Sequence, residues 1–494
     1  MNKVVLFLPP YSGAPLGPPA GLLALASPLG QAGYRVAIID GKITPDYLAA
    51  LEREIAGAVC FGVSLLTGPM IAASVAASRR VKELRPELPV VFGGWHPTLL
   101  PAQTLRESFV DVVVCNQGEL TFLDVVRRLQ SGESLEGLAG CWFKSGGAIV
   151  SNPDRPPARL RDLPAPAYDL VDFDAYERAS GDRKLPYATS VGCPYACNYC
   201  TDTVFYNRRF NALDAARVVA ELSALVARHR ITDVALLDSN FLVDTRRALE
   251  IARGLSASGA RFRWTFQAST DLLCRMSDEE VRQLAAGGVS HIGFGTESAS
   301  EAVLARMNKP HQRIPDMFET ARKCRQARIR TTFNLIFGYP GETDADRKET
   351  FRVMSAIAGE FPNVAFSPNI FTPYPAIPIW GELRALGVRE PERLEDWTEV
   401  ALGANLLPWL RGGTCETIER SMSFFLLNNK IAHAARARPT RLGRMSLRVL
   451  QRSLHWRMER QRFGWPVELW LLGAKKWLVA RRSLLTGRGL PEAC

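Results

Sequence analysis

Apolar positions along the chain fall into two series of short runs, separated by longer stretches with helical spacing. In the first 130 residues the runs are continuously apolar, which predicts strands buried on both faces of a parallel sheet. These runs lie at 4–8, 36–40, 59–64, 89–94 and 110–116. The alternation of strand and helix predicts a doubly wound, Rossmann-like α/β domain that binds its ligand beyond the carboxyl ends of the strands.

A proline-rich segment separates the two series. Five prolines occur between residues 151 and 170, and each fixes its own φ and restricts the residue before it. Six further apolar runs then alternate with helical stretches, at 187–192, 233–239, 263–269, 291–297, 330–338 and 364–372. This second series predicts a partial (β/α)6 barrel of the TIM type, with its active face at the carboxyl ends of the strands.

The pattern therefore predicts an α/β protein in four parts. They are a Rossmann-like domain at 1–140, a linker at 141–184, a barrel at 185–380 and a mostly helical C-terminal region at 381–494.

Composition adds a cellular compartment to this prediction. The ten cysteines are spread along the whole chain, which favours a reducing compartment and metal or catalytic use over a disulfide framework. The apolar stretch before Pro9 is too short for a signal-peptide core, and no window of about 18 apolar residues predicts a spanning helix. We expect a cytoplasmic protein, with peripheral membrane contact as the alternative.

Net charge is concentrated at one end of the chain. The 494 residues carry a formal charge of +11, and residues 431–494 hold fourteen basic and three acidic side chains. Four arginines recur there at helical spacing: Arg441, Arg444, Arg448 and Arg452. Basic residues interleaved with tryptophans at 465, 470 and 477 are typical of a membrane-surface contact, and a helical cap with a solvated basic face is the alternative. Nucleic-acid binding is disfavoured because no recognisable RNA module accompanies the charge.

Candidate chemistry lies in SVGCPYACNYCTD, residues 190–202, directly after the first predicted barrel strand. Three thiolates within eight residues can hold three corners of an iron–sulfur cluster and leave one iron open. A structural zinc would require a fourth ligand, and the chain has no second CxxC or HxxxH. The motif therefore favours an iron–sulfur cluster bound by Cys193, Cys197 and Cys200.

The CxxxCxxC motif after a barrel strand resembles the hallmark of the radical S-adenosylmethionine (SAM) superfamily. The resemblance implies a [4Fe–4S] cluster whose open iron binds SAM. Reduction by an external one-electron donor, of the flavodoxin or ferredoxin type, would then cleave SAM to a 5′-deoxyadenosyl radical that abstracts hydrogen from the substrate. No catalytic side chain is assigned.

Later segments, up to about residue 380, resemble the SAM-binding segments of the same superfamily. The segments are LLDSNF (236–241), FGTES (294–298) and FNLIFGYPGET (333–343). Together with the cysteine motif they imply SAM contacts from Tyr199, Asp238, Asn240, Glu297, Gly338 and Gly341. A salt bridge at the barrel mouth is the alternative role for Asp238 and Glu297.

Loops of the first domain resemble the cobalamin-binding domain of one class of radical SAM enzymes. The resemblance implies cobalamin contacts from Ser64, Thr67, Gly93, Gly94, His96, Thr98, Gly118 and Glu119. Gly93 and Gly94 would let the backbone approach the nucleotide tail of the cofactor. The DxHxxG motif that supplies a lower axial histidine elsewhere is absent, and the place of His96 beside Pro97 favours rim packing or hydrogen bonding over ligation.

The combined resemblance implies a cobalamin-dependent radical SAM enzyme that methylates an unactivated carbon of a hydrophobic or natural-product substrate, either a small molecule or a lipid. Radical ring formation, as in the anaerobic magnesium-protoporphyrin ester cyclase group, is the main alternative. Further alternatives are a sensor without turnover and a methylthiotransferase with a second cluster on Cys60, Cys115 and Cys141. Cys60 and Cys115 lie in apolar runs typical of buried structural thiols.

Overall fold

The computed structural model describes residues 2–11, 17–401, 404, 406–410, 413–437, 441–464 and 468. The strands of the first sheet are β1 (Lys3–Leu8), β2 (Arg35–Asp40), β3 (Ala58–Ser64), β4 (Val90–Gly93), β5 (Val112–Val114), β6 (Cys141–Ser145) and β7 (Ala148–Ser151). They are ordered β2-β1-β3-β4-β5-β6-β7, with β1 to β5 parallel and the last two antiparallel. The predicted doubly wound sheet is confirmed.

Helices cover both faces of this sheet. They are α1 (Ala20–Gln31), α2 (Tyr47–Glu54), α3 (Met70–Leu84), α4 (Trp95–Leu99), α5 (Pro101–Arg106) and α6 (Glu119–Ser131). Apolar residues of α1 and α6 pack together with Leu6 and Val91 on one face, while those of α2 and α3 pack with Phe7 and Phe61 on the other. Both faces of the strands are buried, which explains their continuously apolar sequences.

The first sheet extends further along the chain than the sequence predicts. Strands β6 and β7 fall inside the segment 141–184 that was expected to be a linker. They form a hairpin whose turn is Gly146–Gly147, with φ values of 56° and 82°. Two positive φ angles suit a tight turn between antiparallel strands. The segment also contains α7 (Phe173–Ser180), in which Tyr176 donates a hydrogen bond to Asp40 at 2.9 Å. The domain boundaries stay predictions.

The second sheet is the predicted partial barrel. Its strands are β8 (Lys184–Tyr187), β11 (Asp233–Leu236), β12 (Arg263–Ala268), β13 (Val289–Glu297), β14 (Arg330–Phe337) and β15 (Val364–Ile370). All pair in parallel, in the order β15-β14-β13-β12-β11-β8. The connecting helices are α8 (Asp202–Phe205), α9 (Ala215–His229), α10 (Thr245–Ala257), α11 (Thr270–Arg275), α12 (Asp278–Ala286), α13 (Glu301–Arg306), α14 (Ile314–Gln326) and α15 (Asp344–Glu360).

The first barrel strand is shorter than its apolar run. After β8 the chain forms β9 (Ser190–Val191), which pairs with β10 (Asn211–Ala212) instead of continuing in the barrel sheet. Strand β9 ends just before Gly192, which has a φ of 78°, and a Cβ there would lie 2.0 Å from the Arg209 carbonyl oxygen. Only glycine permits this turn, and the turn directs the chain into the cysteine loop.

The C-terminal region is helical, as predicted. It contains α16 (Trp380–Ala385), a 3-10 turn at Leu394–Glu399, α17 (Gly413–Ala437) and α18 (Arg441–Glu459). Residues 389–400, which we call the strap, return to the first domain: Trp397 donates a hydrogen bond to Gln103 Oε1 at 2.8 Å, and Gln103 donates one to the Pro391 carbonyl at 2.8 Å. The strap therefore ties the barrel to the first domain.

Within the described ranges, none of the helices has both the length and the apolar character to span a bilayer.

Candidate active site

The cysteine loop, residues 192–200, is held in place by hydrogen bonds to residues of the barrel. The Asn198 amide donates to the Arg306 carbonyl at 2.8 Å and accepts from the Tyr339 hydroxyl at 2.6 Å. Asn308 donates to the Ala196 carbonyl at 2.7 Å. These bonds fix the loop through the residues between the cysteines, so the thiols are not used to hold it.

The three thiols of the loop form the donor set for a metal site. All three cysteines are reduced; Cys197 is buried, and Cys193 and Cys200 are half-buried. Burial raises the pKa of Cys193 and Cys197, and it raises that of Cys200 to about 12. A bound metal would have to hold these groups as thiolates, because only the thiolate is a ligand.

The arrangement of the thiols does not suit a single metal ion. No group of three or more His, Cys, Asp or Glu side chains in the described part of the chain is close enough to share one ion. Three thiols from one loop, with no fourth protein ligand in the motif, instead fit a cluster that keeps one iron open.

A buried charged pair lies beside this loop. Lys309 donates hydrogen bonds to Glu297 Oε1 at 3.3 Å and to the Tyr199 hydroxyl at 3.2 Å, and Tyr199 donates to Glu297 Oε1 at 3.0 Å. Burial alone would lower the pKa of Lys309, but the Glu297 carboxylate and the Cys197 thiolate outweigh it and raise that pKa. The structure thus brings the predicted residues Tyr199 and Glu297 together, and it adds a cation that the sequence did not suggest.

The two predicted residues after β11 have different surroundings. Asp238 is buried and accepts hydrogen bonds from the Thr189 amide at 2.8 Å and from the hydroxyls of Thr189 and Ser190. Its oxygens are therefore occupied in positioning the chain that leads into the cysteine loop. Asn240, by contrast, interacts with the Cys193 thiol, and its buried Oδ1 has no partner in the described structure. An orphaned buried acceptor beside a cluster ligand fits a hydrogen-bond donor on a bound molecule.

Gly338 and Gly341 are required by the turn that follows β14. Their φ values are 75° and 74°. A Cβ on Gly338 would lie 2.3 Å from Leu410 Cδ1, and one on Gly341 would lie 2.6 Å from the Arg306 guanidinium. The positive φ angles account for both glycines, and the packing of Leu410 adds to the requirement at Gly338.

The interior face of the barrel sheet carries residues that the sequence analysis missed. Helices pack on the other face, where Phe294, Phe333 and Phe366 are buried side by side. On the interior face, His291 Nε2 is 2.8 Å from Thr332 Oγ1, and Asn334 donates to Gln267 Oε1 at 3.4 Å. Burial lowers the pKa of His291 to about 4, so the ring is neutral at pH 7. The alternation of these side chains along β12 to β14 was visible in the sequence, but the curvature of the sheet was not.

A cavity of about 710 Å³ lies at the carboxyl ends of the strands in the first sheet. Its deep part runs between the sheet and the helices α1 and α6, and is lined by apolar side chains such as Leu6, Leu22 and Phe122. A Cβ on Gly62 would lie 2.9 Å from Leu6 Cδ2 and 3.1 Å from Phe122. Glycine at this strand position therefore keeps the slot open, as a flat apolar ligand such as a nucleotide base would require.

Five of the eight predicted cobalamin residues line this cavity. They are Ser64, Gly93, Gly94, Gly118 and Glu119. Gly94 has a φ of 94°, and a Cβ there would lie 2.8 Å from the Leu65 carbonyl oxygen, so the backbone itself requires glycine. Gly93 has only ordinary contacts at this position, which leaves its face of the strand accessible to a ligand. The apolar deep part of the cavity and its polar mouth together fit the nucleotide tail of cobalamin.

The other three predicted residues do not line the cavity. His96 is fully buried, with its Nδ1 3.0 Å from Thr67 Oγ1 and its ring against Trp397 of the strap. Burial lowers its pKa to about 3. Thr98 accepts a hydrogen bond from the Asn116 amide at 3.0 Å. His96 and Thr98 lie on the short helix α4, which turns the His96 ring into the protein, whereas Thr67 lies in the loop after β3 and contacts that ring.

The cavity and the cysteine loop adjoin each other. Besides residues of the first sheet, the cavity is lined by Val204, Phe205 and Tyr206, which follow Cys200. Trp95, after β4, stacks on Phe205 with 4.4 Å between ring centroids. One wall of the cavity is thus formed by the segment that continues from the cysteine loop.

Both α/β domains of the chain match families of known proteins. The family model of the radical SAM superfamily matches residues 187–354, and that of the B12 binding domain matches residues 13–126. An uncharacterized methyltransferase of Pyrococcus horikoshii is 30% identical over 392 residues, covering 76% of this chain and 82% of that protein.

A second relative and a solved structure agree with this assignment. The anaerobic magnesium-protoporphyrin IX monomethyl ester cyclase of Cereibacter sphaeroides is 26% identical over 377 residues, covering 74% of this chain and 60% of the cyclase. The cobalamin-dependent SAM radical enzyme OxsB, solved with aqua-cobalamin bound, superimposes with a TM-score of 0.71 at 15% identity, covering 93% of this chain and 72% of OxsB. The chain belongs to the radical SAM superfamily, among the enzymes with an N-terminal cobalamin-binding domain, and its cofactors are a [4Fe–4S] cluster, SAM and cobalamin.

Proposed function

We propose that this enzyme methylates an unactivated carbon of a small molecule. The observation that carries the proposal is the shared wall between the cobalamin-type cavity and the cysteine loop, formed by Val204, Phe205 and Tyr206. The bound cofactors together supply a hydrogen-abstracting radical and a transferable methyl group, and both must reach the same carbon. The methyltransferase relative of Pyrococcus horikoshii supports the same reaction class.

In this proposal the side chains around the loop bind and orient SAM. Cys193, Cys197 and Cys200 hold the cluster. The ammonium of Lys309 suits a carboxylate, and Glu297 suits an amino or hydroxyl group, because charge-assisted hydrogen bonds are strong in a buried site. Both groups are buried, so they are already oriented before a ligand binds.

The interior face of the barrel favours a neutral, hydrogen-bonding substrate group near the cofactors. Paired residues along this face form two rows, Gln267–Gly293–Thr332–Ala365 and Gly295–Asn334–Ser367. Neither row contains a charged side chain, and the amides of Gln267 and Asn334 can each donate and accept hydrogen bonds. An anionic group would find no cation in these two rows, whereas the next row on the same face, Thr265–His291–Arg330, contains one. This refines the sequence-based expectation of a hydrophobic substrate, whose apolar part would have to lie elsewhere.

The reaction class is tested with SAM that carries a labelled methyl group. The anaerobically reconstituted enzyme, given dithionite and small-molecule extract, is expected to form 5′-deoxyadenosine and a labelled product. Cys197→Ala is expected to lose the cluster and the formation of 5′-deoxyadenosine, yet to bind hydroxocobalamin with unchanged affinity. If the reconstituted enzyme with an intact cluster forms no 5′-deoxyadenosine, radical chemistry is excluded.

Ring formation is the second candidate, because the cyclase of Cereibacter sphaeroides matches most of this chain. That reaction consumes SAM without moving its methyl group into the product. An unlabelled product that forms together with 5′-deoxyadenosine would therefore favour cyclisation and contradict methylation.

Peripheral membrane contact is supported by the outward face of α18. Leu454 and Met458 are buried against the protein, whereas Met445, Val449 and Trp456 are 63%, 63% and 44% exposed. These three lie within about 40° of one another on a helical wheel. Arg448 and Arg452 are exposed on the same side. The predicted tryptophans at 465, 470 and 477 lie outside the described residues.

An apolar stripe flanked by arginines suits an anionic lipid surface. We expect the protein to sediment with vesicles of equal parts phosphatidylcholine and phosphatidylglycerol at low salt, and less with phosphatidylcholine alone. Val449→Ser combined with Trp456→Ser should abolish this sedimentation. Ile149→Ser, at an exposed apolar position in the first domain, is the matched control. Equal sedimentation of both variants would contradict the lipid contact.

A further inference from the structure

The outer side of the cysteine loop is partly open to solvent, and arginines surround it. Pro194, directly after Cys193, is exposed, whereas Cys197 on the inner side is buried. Arg208, Arg275 and Arg306, which we call the arginine rim, contact this loop or its partners from three directions. The Arg306 carbonyl helps to hold the cysteine loop, but within the described residues the guanidinium groups of the rim donate no hydrogen bond to the three cysteines or to Tyr199, Glu297 and Lys309.

Arg208 is placed on the loop by an unusual backbone conformation. Asn207 and Arg208 have consecutive positive φ angles of 47° and 56°, which residues other than glycine rarely adopt. The guanidinium of Arg208 donates a hydrogen bond to the Pro194 carbonyl at 3.4 Å, and its side chain stays exposed. The backbone thus holds a cation against the segment between the first two cysteines.

Arg275 and Arg306 reach the loop from the barrel. Arg275 is bound to Asp271 at 3.0 Å, and Asp271 accepts a hydrogen bond from the Tyr195 hydroxyl at 2.8 Å. Its side chain is nevertheless 72% exposed. Arg306 is exposed, and its carbonyl accepts the hydrogen bond from Asn198. In the described part of the chain, neither Arg208 nor Arg306 takes part in an ion pair.

We propose that the arginine rim is the docking surface for an acidic electron-donor protein that carries a flavin or an iron–sulfur centre. Members of the superfamily need an electron donor, and electron transfer between proteins requires close approach of the two centres. The exposed outer side of the loop is a short route to the cysteine-bound cluster. Arg275 is paired with Asp271, but its side chain is exposed, and Arg208 and Arg306 form no ion pair in the described part of the chain. Exposed positive charge around that route would attract and orient a negatively charged partner.

The transfer itself is a one-electron step. The donor centre loses one electron and is oxidised, the cluster gains it and is reduced, and no bond or proton is exchanged at the surface. The inference rests on the proposed function, because a donor is required only if the cluster is reduced during turnover.

The test uses the reconstituted holoenzyme with bacterial flavodoxin, an acidic one-electron flavin carrier. Binding of oxidised flavodoxin is measured at low and high salt, and the rate of cluster reduction by reduced flavodoxin is followed by stopped-flow absorbance. We expect high salt to weaken binding, since exposed charges are screened. Arg208→Glu combined with Arg306→Glu should weaken binding and slow reduction at least tenfold, as expected for loss of electrostatic steering.

Controls separate docking from cluster damage. Dithionite, a small reductant that needs no docking surface, should reduce the clusters of wild type and variants to the same final extent. Arg253→Glu, an exposed arginine on α10 that donates to Gln283, should behave as wild type. Arg275→Gln removes one positive charge without changing a contact to the loop backbone. It replaces the double variant if that variant loses its cluster, and it should also slow reduction by flavodoxin.

The outcomes overturn or support the proposal directly. Wild-type binding that is absent at low salt or indifferent to salt would overturn it. So would reduction by flavodoxin at the wild-type rate in the charge-reversed or Arg275→Gln enzyme. A cluster that dithionite reduces without forming 5′-deoxyadenosine from SAM would contradict the proposed function instead, and leaves the docking result to be judged on binding and reduction rates alone.

Discussion

Lys309 and Glu297 form a buried ion pair at the mouth of the barrel, with side chains 7% and 10% exposed. Removing one partner leaves the other as an uncompensated buried charge, which typically costs about 3–5 kcal/mol. Lys309→Met is therefore expected to lower the free energy of unfolding by about that amount and to weaken SAM binding. Urea unfolding and anaerobic equilibrium dialysis with SAM measure the two effects.

The double variant Glu297→Gln with Lys309→Met separates stability from binding. It removes both charges, so most of the lost stability should return, while SAM binding should not. Equal SAM binding by the wild type and the double variant would show that the pair serves only the fold.

Glu342 provides a pH-dependent measure of burial in the same region. Its carboxyl accepts hydrogen bonds from the Gly338 amide at 2.6 Å and from Arg347 at 3.2 Å, but burial outweighs both and raises its pKa from 4.5 to about 7. Between these values the unfolded chain is ionised while the folded carboxyl keeps its proton. The contribution of this group to the free energy of unfolding therefore falls as the pH rises from about 4.5 to about 7, by on the order of 3 kcal/mol.

Glu342→Gln keeps an acceptor for the Gly338 amide but removes the titration. The difference in urea unfolding free energy between variant and wild type should therefore grow in favour of the variant as the pH rises from 4.5 to 7. A difference that does not change with pH would show that Glu342 is ionised in the fold.

Gly62 on strand β3 tests the cobalamin slot, and Gly30 on helix α1 provides a control. Gly62→Ala would push Leu6 and Phe122 into the slot, and we expect hydroxocobalamin to bind at least tenfold more weakly, as seen by spectroscopic titration. Gly30→Ala is the matched control, because no atom lies within 4 Å of its added Cβ. As a helical position it should gain up to about 1 kcal/mol of stability without any change in affinity. Unchanged affinity in Gly62→Ala would place the cofactor tail elsewhere.

At the level of elements, periodicity predicted the type and order of the strands but not their ends or the direction of rim side chains. Continuous apolar runs marked β1 to β5 because both faces of these strands are buried. The β6–β7 hairpin was not predicted, although Gly146–Gly147 is a turn signal. The five prolines that follow it favoured a linker for the whole segment. His96 was expected at the rim, and α4 turns it inward. Lys309 lies in a loop without a motif, so only the folded chain shows that it meets Glu297.

Across the whole molecule, the strap adds a buried contact between the first domain and the barrel, besides the stacking of Trp95 on Phe205. Trp397 is fully buried between the domains and its indole donates to Gln103. Arg79 and Glu395 form a further ion pair across the same contact. A ligand that binds only the folded first domain can stabilise the barrel only if the two unfold together.

Trp397→Ala should therefore uncouple the domains. In wild type we expect hydroxocobalamin to raise the melting temperature of a single calorimetric transition. In the variant two transitions should appear, and the ligand should raise the melting temperature of only one of them. The matched control is Trp264→Ala, which also loses a large buried indole and its hydrogen bond, here to the Gly287 carbonyl at 2.7 Å, but within the barrel alone. It should lose stability and remain coupled. If hydroxocobalamin raises the melting temperature of every transition of Trp397→Ala, the domains are held together by contacts other than the strap.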